Sequence, residues 1–200
     1  FKIKLRDDKV FNGKSRINLL APHDDWAIVG NSLNKYISSM GVISTYGEYN
    51  NVKVNGNDIG LYLAIENIGK NLLERNFSIT NFAILKNYDF WDKAWNMAHI
   101  SPTMFTSFDI EQSGDLLTQK IALFQLKNLF NSIENNDFDN LKTIIDINNL
   151  SKIFALSLLT GDHHPLTGDN ARYIYDLAKG TFNLSYRIEG RPNLIETKIT

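Results

Sequence analysis

Cysteine is absent from the 200 residues, which excludes disulfides and thiolate metal sites and leaves the redox compartment unread. An excess of one charge is missing too: 21 basic and 22 acidic residues leave a net charge of -1. No polycationic surface follows, so the composition argues against general nucleic-acid binding by phosphate neutralisation but not against a local basic pocket. No uninterrupted apolar run approaches the roughly 20 residues that span a bilayer. Neither an internal repeat nor a low-complexity linker is present. The chain opens without an initiating Met or a signal-like segment, directly on the strand-like Phe1-Lys2-Ile3-Lys4-Leu5, as a piece cut from a longer protein would. What is there, 43% hydrophobic residues, suits a core for one domain or for two lobes sharing a cleft.

The chemistry concentrates in residues 150–191. Leu150, Ile153, Phe154, Ser157 and Leu158 recur at helical spacing and stop at Gly161, so a helix ends just before Asp162. A loop rich in polar side chains follows, with Asp162, His163, His164, Asp169 and Asn170 broken by Pro165 and Gly168. Two alternating runs, 171–176 and 181–188, joined by Leu177-Ala178-Lys179-Gly180, read as a β-hairpin whose exit carries Arg187 and Glu189. Helix, acidic loop and hairpin together bring Asp162, Asn170 and Glu189 to one end of a small sheet. Three oxygen ligands from such a place suit a hard cation such as magnesium. Protein kinases use the same layout, an Asp orienting the attacking hydroxyl and an Asn holding metal. The same side chains also serve as turn-makers and caps after helices, which leaves the structural reading open. Adjacent His163 and His164, with no third His or Cys near in sequence, argue against zinc.

Earlier in the chain, Ser15 to Leu20 forms a second strand, and Asp24 or Asp25 caps a helix with apolar positions Trp26, Val29, Leu33, Tyr36, Ile37 and Met40 that closes at Gly41. Asn55-Gly56 between alternating runs predicts a tight hairpin, because both central residues need positive φ. Ile59, Leu61, Leu63 and Ile65 line one face of its returning strand, which ends at Glu66. A short helix over 70–76 and a strand over 81–86, closed by Lys86, come next. A short helix is expected around Trp91 to His99. Ser113 then caps a long helix to about Glu134, with Leu116, Leu117, Ile121, Phe124, Leu129, Phe130 and Ile133 as its apolar stripe. A short helix over 137–145 follows, and Asn149 caps the helix that ends at Gly161.

Several phrases in order resemble the CotH family of atypical, kinase-like proteins associated with bacterial spore coats: FKIKL, KSRINLL, VKVNGNDIGLYLAIE, AILK, GDHHPLTGDNARYIYD and SYRIEG. Of these, NG-x-x-x-G-x-Y-L-x-x-E is the most specific. The resemblance implies an α+β, reduced protein-kinase-like fold with two lobes. A strand-rich lobe occupies about 1–110, and a helical lobe with the late β-hairpin about 111–200, forming one domain of a longer chain. It implies magnesium-dependent transfer of phosphate from ATP to Ser or Thr hydroxyls of a protein substrate. Asp162 matches the Asp of the family's catalytic loop and Asn170 its metal-binding Asn. Glu66 falls at the acidic end of the NG hairpin, and Lys4 or Lys86 is the basic group that meets the phosphates. The family also points to a spore coat or cell-envelope setting.

Two departures bear on activity. The family's loop places its Asn five residues after the Asp, and here the interval is longer. The family's hairpin exit reads Pro-Trp-Asp, with the Asp on metal, and here it reads Ser185-Tyr186-Arg187. A guanidinium within a few ångströms of magnesium is repulsive by several kcal/mol, order of magnitude, at an effective dielectric near 20. Glu189, on the same face of a strand as Arg187, or Asp169 is a replacement ligand; alternatively Arg187 replaces the metal by pairing with phosphate oxygens. The second expectation is therefore a catalytically inactive scaffold or nucleotide-binding module that keeps the fold.

Overall fold

The computed structural model describes residues 2–4, 12–21, 26–87, 108–162 and 171–188. It is a mixed α+β protein, with two antiparallel four-stranded sheets and five helices among the described residues. The chain divides into two compact units: Phe1–Ser78 with Arg187–Arg191, and Ile79–Tyr186 with Pro192–Thr200. The helix expected around Trp91 to His99 lies outside the described residues.

In the first unit, β1 (Lys2–Lys4), β2 (Arg16–Leu20), β3 (Gly47–Val54) and β4 (Asn57–Glu66) form a sheet in the order β1-β2-β4-β3. The β3–β4 turn takes positive φ at both Asn55 (51°) and Gly56 (84°), as the Asn-Gly pair predicts. Helix α1 (Trp26–Ser39) and helix α2 (Lys70–Phe77) complete the unit, whose core contains Ile37, Val42, Ile43, Leu63, Ile65, Leu72 and Leu73. Each such buried aliphatic side chain contributes about 1.5–3 kcal/mol. Two asparagines three residues apart on α1 act as short pieces of strand. Asn31 donates to the Gly47 carbonyl (3.0 Å) and accepts from the Gly47 N–H (2.9 Å). Asn34 does the same for Ile188, at 3.1 and 2.8 Å.

In the second unit, β5 (Phe82–Asn87), β6 (Phe108–Ser113), β7 (Arg172–Asp176) and β8 (Thr181–Leu184) form a sheet in the order β6-β5-β7-β8. The AILK strand thus pairs with the late hairpin, with Leu85 opposite Tyr173 and Ala83 opposite Tyr175. Helices α3 (Leu116–Glu134), α4 (Phe138–Ile144) and α5 (Ile147–Thr160) supply the rest of the core. Rings of Phe108, Phe130, Tyr173, Tyr175 and Phe182 pack edge-on or tilted at centroid distances of 5.0–6.3 Å. The sheet's β8 edge is closed by an asparagine as well: Asn149 of α5 donates to the Leu184 carbonyl (3.2 Å) and accepts from its N–H (2.8 Å).

Several local expectations are corrected. The cap of α3 is Asp115, which accepts from the Thr118 N–H at 2.8 Å, rather than Ser113. Asp146 caps α5, so Asn149 is freed for β8. Strand β8 stops at Leu184, short of Ile188. On α3 the buried side is Thr118, Ala122, Leu126, Leu129, Phe130 and Ser132, whereas Leu116, Leu117, Phe124 and Ile133 are exposed. Small side chains let the helix approach its neighbours closely, and that outweighs the larger apolar count on its other side.

Candidate functional site

Helix α5 ends where its apolar run ends. Gly161 takes the left-handed cap conformation (φ 64°, ψ 9°) that a Cβ would disfavour, and the chain turns into Asp162. Asp162 is 7% exposed. Its N–H donates to the Thr160 hydroxyl at 3.3 Å, and its carbonyl accepts the hydroxyl hydrogen of Tyr186 at 2.8 Å. Both of these bonds engage Asp162 through its main chain. Tyr186 is fully buried and its Oη lies 2.8 Å from Thr160 Oγ1. Burial pushes the Tyr186 phenol above its ordinary pKa, opposed by the Thr160 hydrogen bond and reinforced by the Asp162 charge. The buried carboxylate is thus felt at the ring that supports it.

Lys86, one residue before the end of β5, is half-buried. Its cross-strand neighbours are Asp109 on β6 and Arg172 on β7. Arg172 reaches over β5 to pair with Glu111 at 2.9 Å. Two cations, Lys86 and Arg172, therefore sit opposite each other on this sheet, with Asp109 and Glu111 on the strand beyond.

In the first unit, Glu66 ends β4 and is 4% exposed. Its partner is Arg75, in the last turn of α2, which also donates to the Gly13 carbonyl at 2.8 Å. Burying a carboxylate is costly unless a cation and hydrogen bonds compensate it, and Arg75 supplies both. The registers Ile3–Ile17 and Ile17–Glu66 place Glu66 on one face of the sheet. Lys4 pairs with Arg16, so the pleat points it to the opposite face, where it is exposed. The cation that holds Glu66 is therefore not Lys4 but Arg75, a residue the sequence reading did not single out. Its signal in sequence was slight: a lone basic residue in the last turn of a short helix that follows an acidic strand end.

Arg187 is half-buried with its Nε shielded from solvent. Each of its flanks is held within its own unit, Tyr186 by the Thr160–Asp162 contacts and Ile188 by Asn34. Asn170 and Glu189, the expected metal ligands, lie outside the described residues, as do His163, His164 and Asp169. Among the described residues no group of three or more His, Asp or Glu side chains could hold a metal ion. Asp162 is the carboxylate that follows the end of α5. As a hard oxygen donor it fits magnesium, whereas Arg187 does not. Among the described residues, no helix is long and apolar enough to cross a membrane.

A mixed α+β protein with a buried aspartate seated after a helix and held by a tyrosine just past a β-hairpin is the class these features define. The chain belongs to the CotH kinase protein family, whose model matches residues 1–185. No curated protein matches it.

Proposed function

We propose that the protein is a CotH-type phosphotransferase that moves the γ-phosphate of ATP to a Ser or Thr hydroxyl of a protein. What carries the reading is Asp162, seated immediately after α5 by hydrogen bonds to its main-chain N–H and carbonyl. In the reaction the acceptor oxygen forms a bond to the γ-phosphorus, the bond from that phosphorus to the ADP oxygen breaks, and Asp162 orients the hydroxyl and takes its proton. By the family resemblance Lys4 or Lys86 is the cation offered to the phosphates, and Arg187 is able to pair with phosphate oxygens bidentately. Glu66, neutralised by Arg75, fixes the end of β4. Asn170 and Glu189 would hold magnesium, which supplies charge neutralisation on the phosphates when bound. The family's association with spore coats and envelopes makes a coat or envelope protein the proposed substrate.

One observation favours a second reading: Arg187 stands where the family pattern has a carboxylate. A cation there disfavours magnesium, and the protein would then be an inactive scaffold or nucleotide-binding module. Calorimetry with ATP, with and without magnesium, together with transfer of labelled γ-phosphate to coat-protein extract, separates the readings. The kinase reading expects magnesium-dependent binding and transfer that Asp162→Asn abolishes. Binding without transfer supports the module, and no binding under either condition defeats both.

A further inference from the structure

The hydrogen bonds around Asp162 form a closed ring. The Tyr186 hydroxyl donates to the Asp162 carbonyl at 2.8 Å. Tyr186 Oη and Thr160 Oγ1 lie 2.8 Å apart in a hydrogen bond that either hydroxyl can donate, and Thr160 also donates to the Leu156 carbonyl at 2.8 Å. The Asp162 N–H returns to Thr160 Oγ1 at 3.3 Å. Both main-chain groups of Asp162 are thus fixed by two side chains, one in the last turn of α5 and one past the end of β8. Thr160 and Tyr186 are buried, so water does not compete for these bonds. A helix end needs no phenol to close it, since Gly161 already supplies the left-handed cap. What the phenol adds is a second anchor, on the Asp162 carbonyl, that fixes the residue after the cap against the hairpin.

We propose that Tyr186 and Thr160 are positioning residues for Asp162, acting through its main chain to set the carboxylate for phosphate transfer. The inference rests on the kinase reading of Asp162. Tyr186→Phe keeps the ring and removes the hydroxyl. The expected result is a folded protein whose kcat falls on the order of 10-fold to 100-fold, the cost of a slightly misplaced catalytic group. The KM for ATP should hold within about twofold, because no nucleotide contact is lost. Thr160→Val should lower kcat in the same way, and Thr160→Ser, which keeps the hydroxyl, should restore most of it.

A folded Tyr186→Phe protein with kcat within about twofold of the parent overturns the inference while leaving the kinase reading intact. If Tyr186→Phe does not fold, equal kcat in Thr160→Val and Thr160→Ser overturns it. A parent protein that binds ATP but transfers no phosphate defeats the kinase reading itself, and the positioning role falls with it.

Discussion

The two sheets differ in how they meet water. In the first, β4 is covered only toward its end: Leu63 and Ile65 are buried while Leu61, on the same face, is 49% exposed, and β3 is solvated along most of its length. In the second, Phe82, Ala83, Ile84 and Leu85 of β5 are all buried, so that strand is covered on both faces. The sequences carry the contrast, since NDIGLYLAIE alternates and FAIL does not. A strand covered on both faces holds its neighbours more rigidly than a half-solvated one. The seat of Asp162 belongs to the unit with the covered strand. The first sheet instead depends on particular backbone fits and on helix α1 for its order.

The sharpest way to break this contrast is at Gly47. A Cβ there would lie 2.0 Å from the Ala64 carbonyl oxygen and 2.6 Å from its carbon. Backbone cannot step aside as a side chain can, and the bonds from Asn31 to Gly47 would be lost with the shift. Gly47→Ala should therefore cost about 3 kcal/mol, at the upper end for overpacking. Hydrogen exchange should show protection lost in β3 and β4 while β5 and β7 keep theirs. Equal loss in both sheets would mean that the first unit is not the locally fragile one.

A smaller effect is expected where both units use the same device. Asn149→Ala leaves the N–H and carbonyl of Leu184 without the asparagine that pairs them, and Asn34→Ala does the same to Ile188. Unsatisfied buried backbone groups make each substitution destabilising by about 2 kcal/mol. Urea unfolding of the two variants checks it. A cost near zero for either would show that water replaces the asparagine there.

These asparagines mark the limit of what the sequence disclosed. A helix asparagine that mimics a strand edge leaves no local pattern in the sequence. Features fixed by a few neighbouring residues were legible: the Asn55-Gly56 turn, the end of α5 at Gly161, and the β7–β8 hairpin closed by Gly180. The position of Asp162 followed from the second of these. The pairing of β5 with β7 was not legible, since residues about ninety positions apart carry no mutual signal. Nor was the Arg75–Glu66 pair, which depends on α2 folding back over the end of β4. On α3 the apolar count misled, because Thr118, Ala122 and Ser132 are buried for their small size rather than their hydrophobicity. Tyr186 was read as strand, and only the early end of β8 turns its hydroxyl into the support of Asp162.

The mildest test leaves both units untouched at neutral pH and separates them in alkali. Burial raises the phenol pKa of Tyr173, Tyr175 and Tyr186 in the second unit, with the Asp176 carboxylate adding to the shift at Tyr175 and the Asp162 carboxylate at Tyr186. In the first unit it raises that of Tyr49. A phenol raised above its unfolded value of 10.0 contributes stability that is fully present below that pH. As pH climbs past it the unfolded chain ionises before the folded one, and that contribution is progressively lost. Between about pH 8 and about pH 11, the second unit should therefore lose more stability than the first. Urea midpoints read by hydrogen exchange in β5 and β4 at the two pH values measure the difference, and Tyr175→Phe should reduce the loss in β5 alone. If β4 loses protection first, burial of these phenols is not what distinguishes the two sheets in alkali.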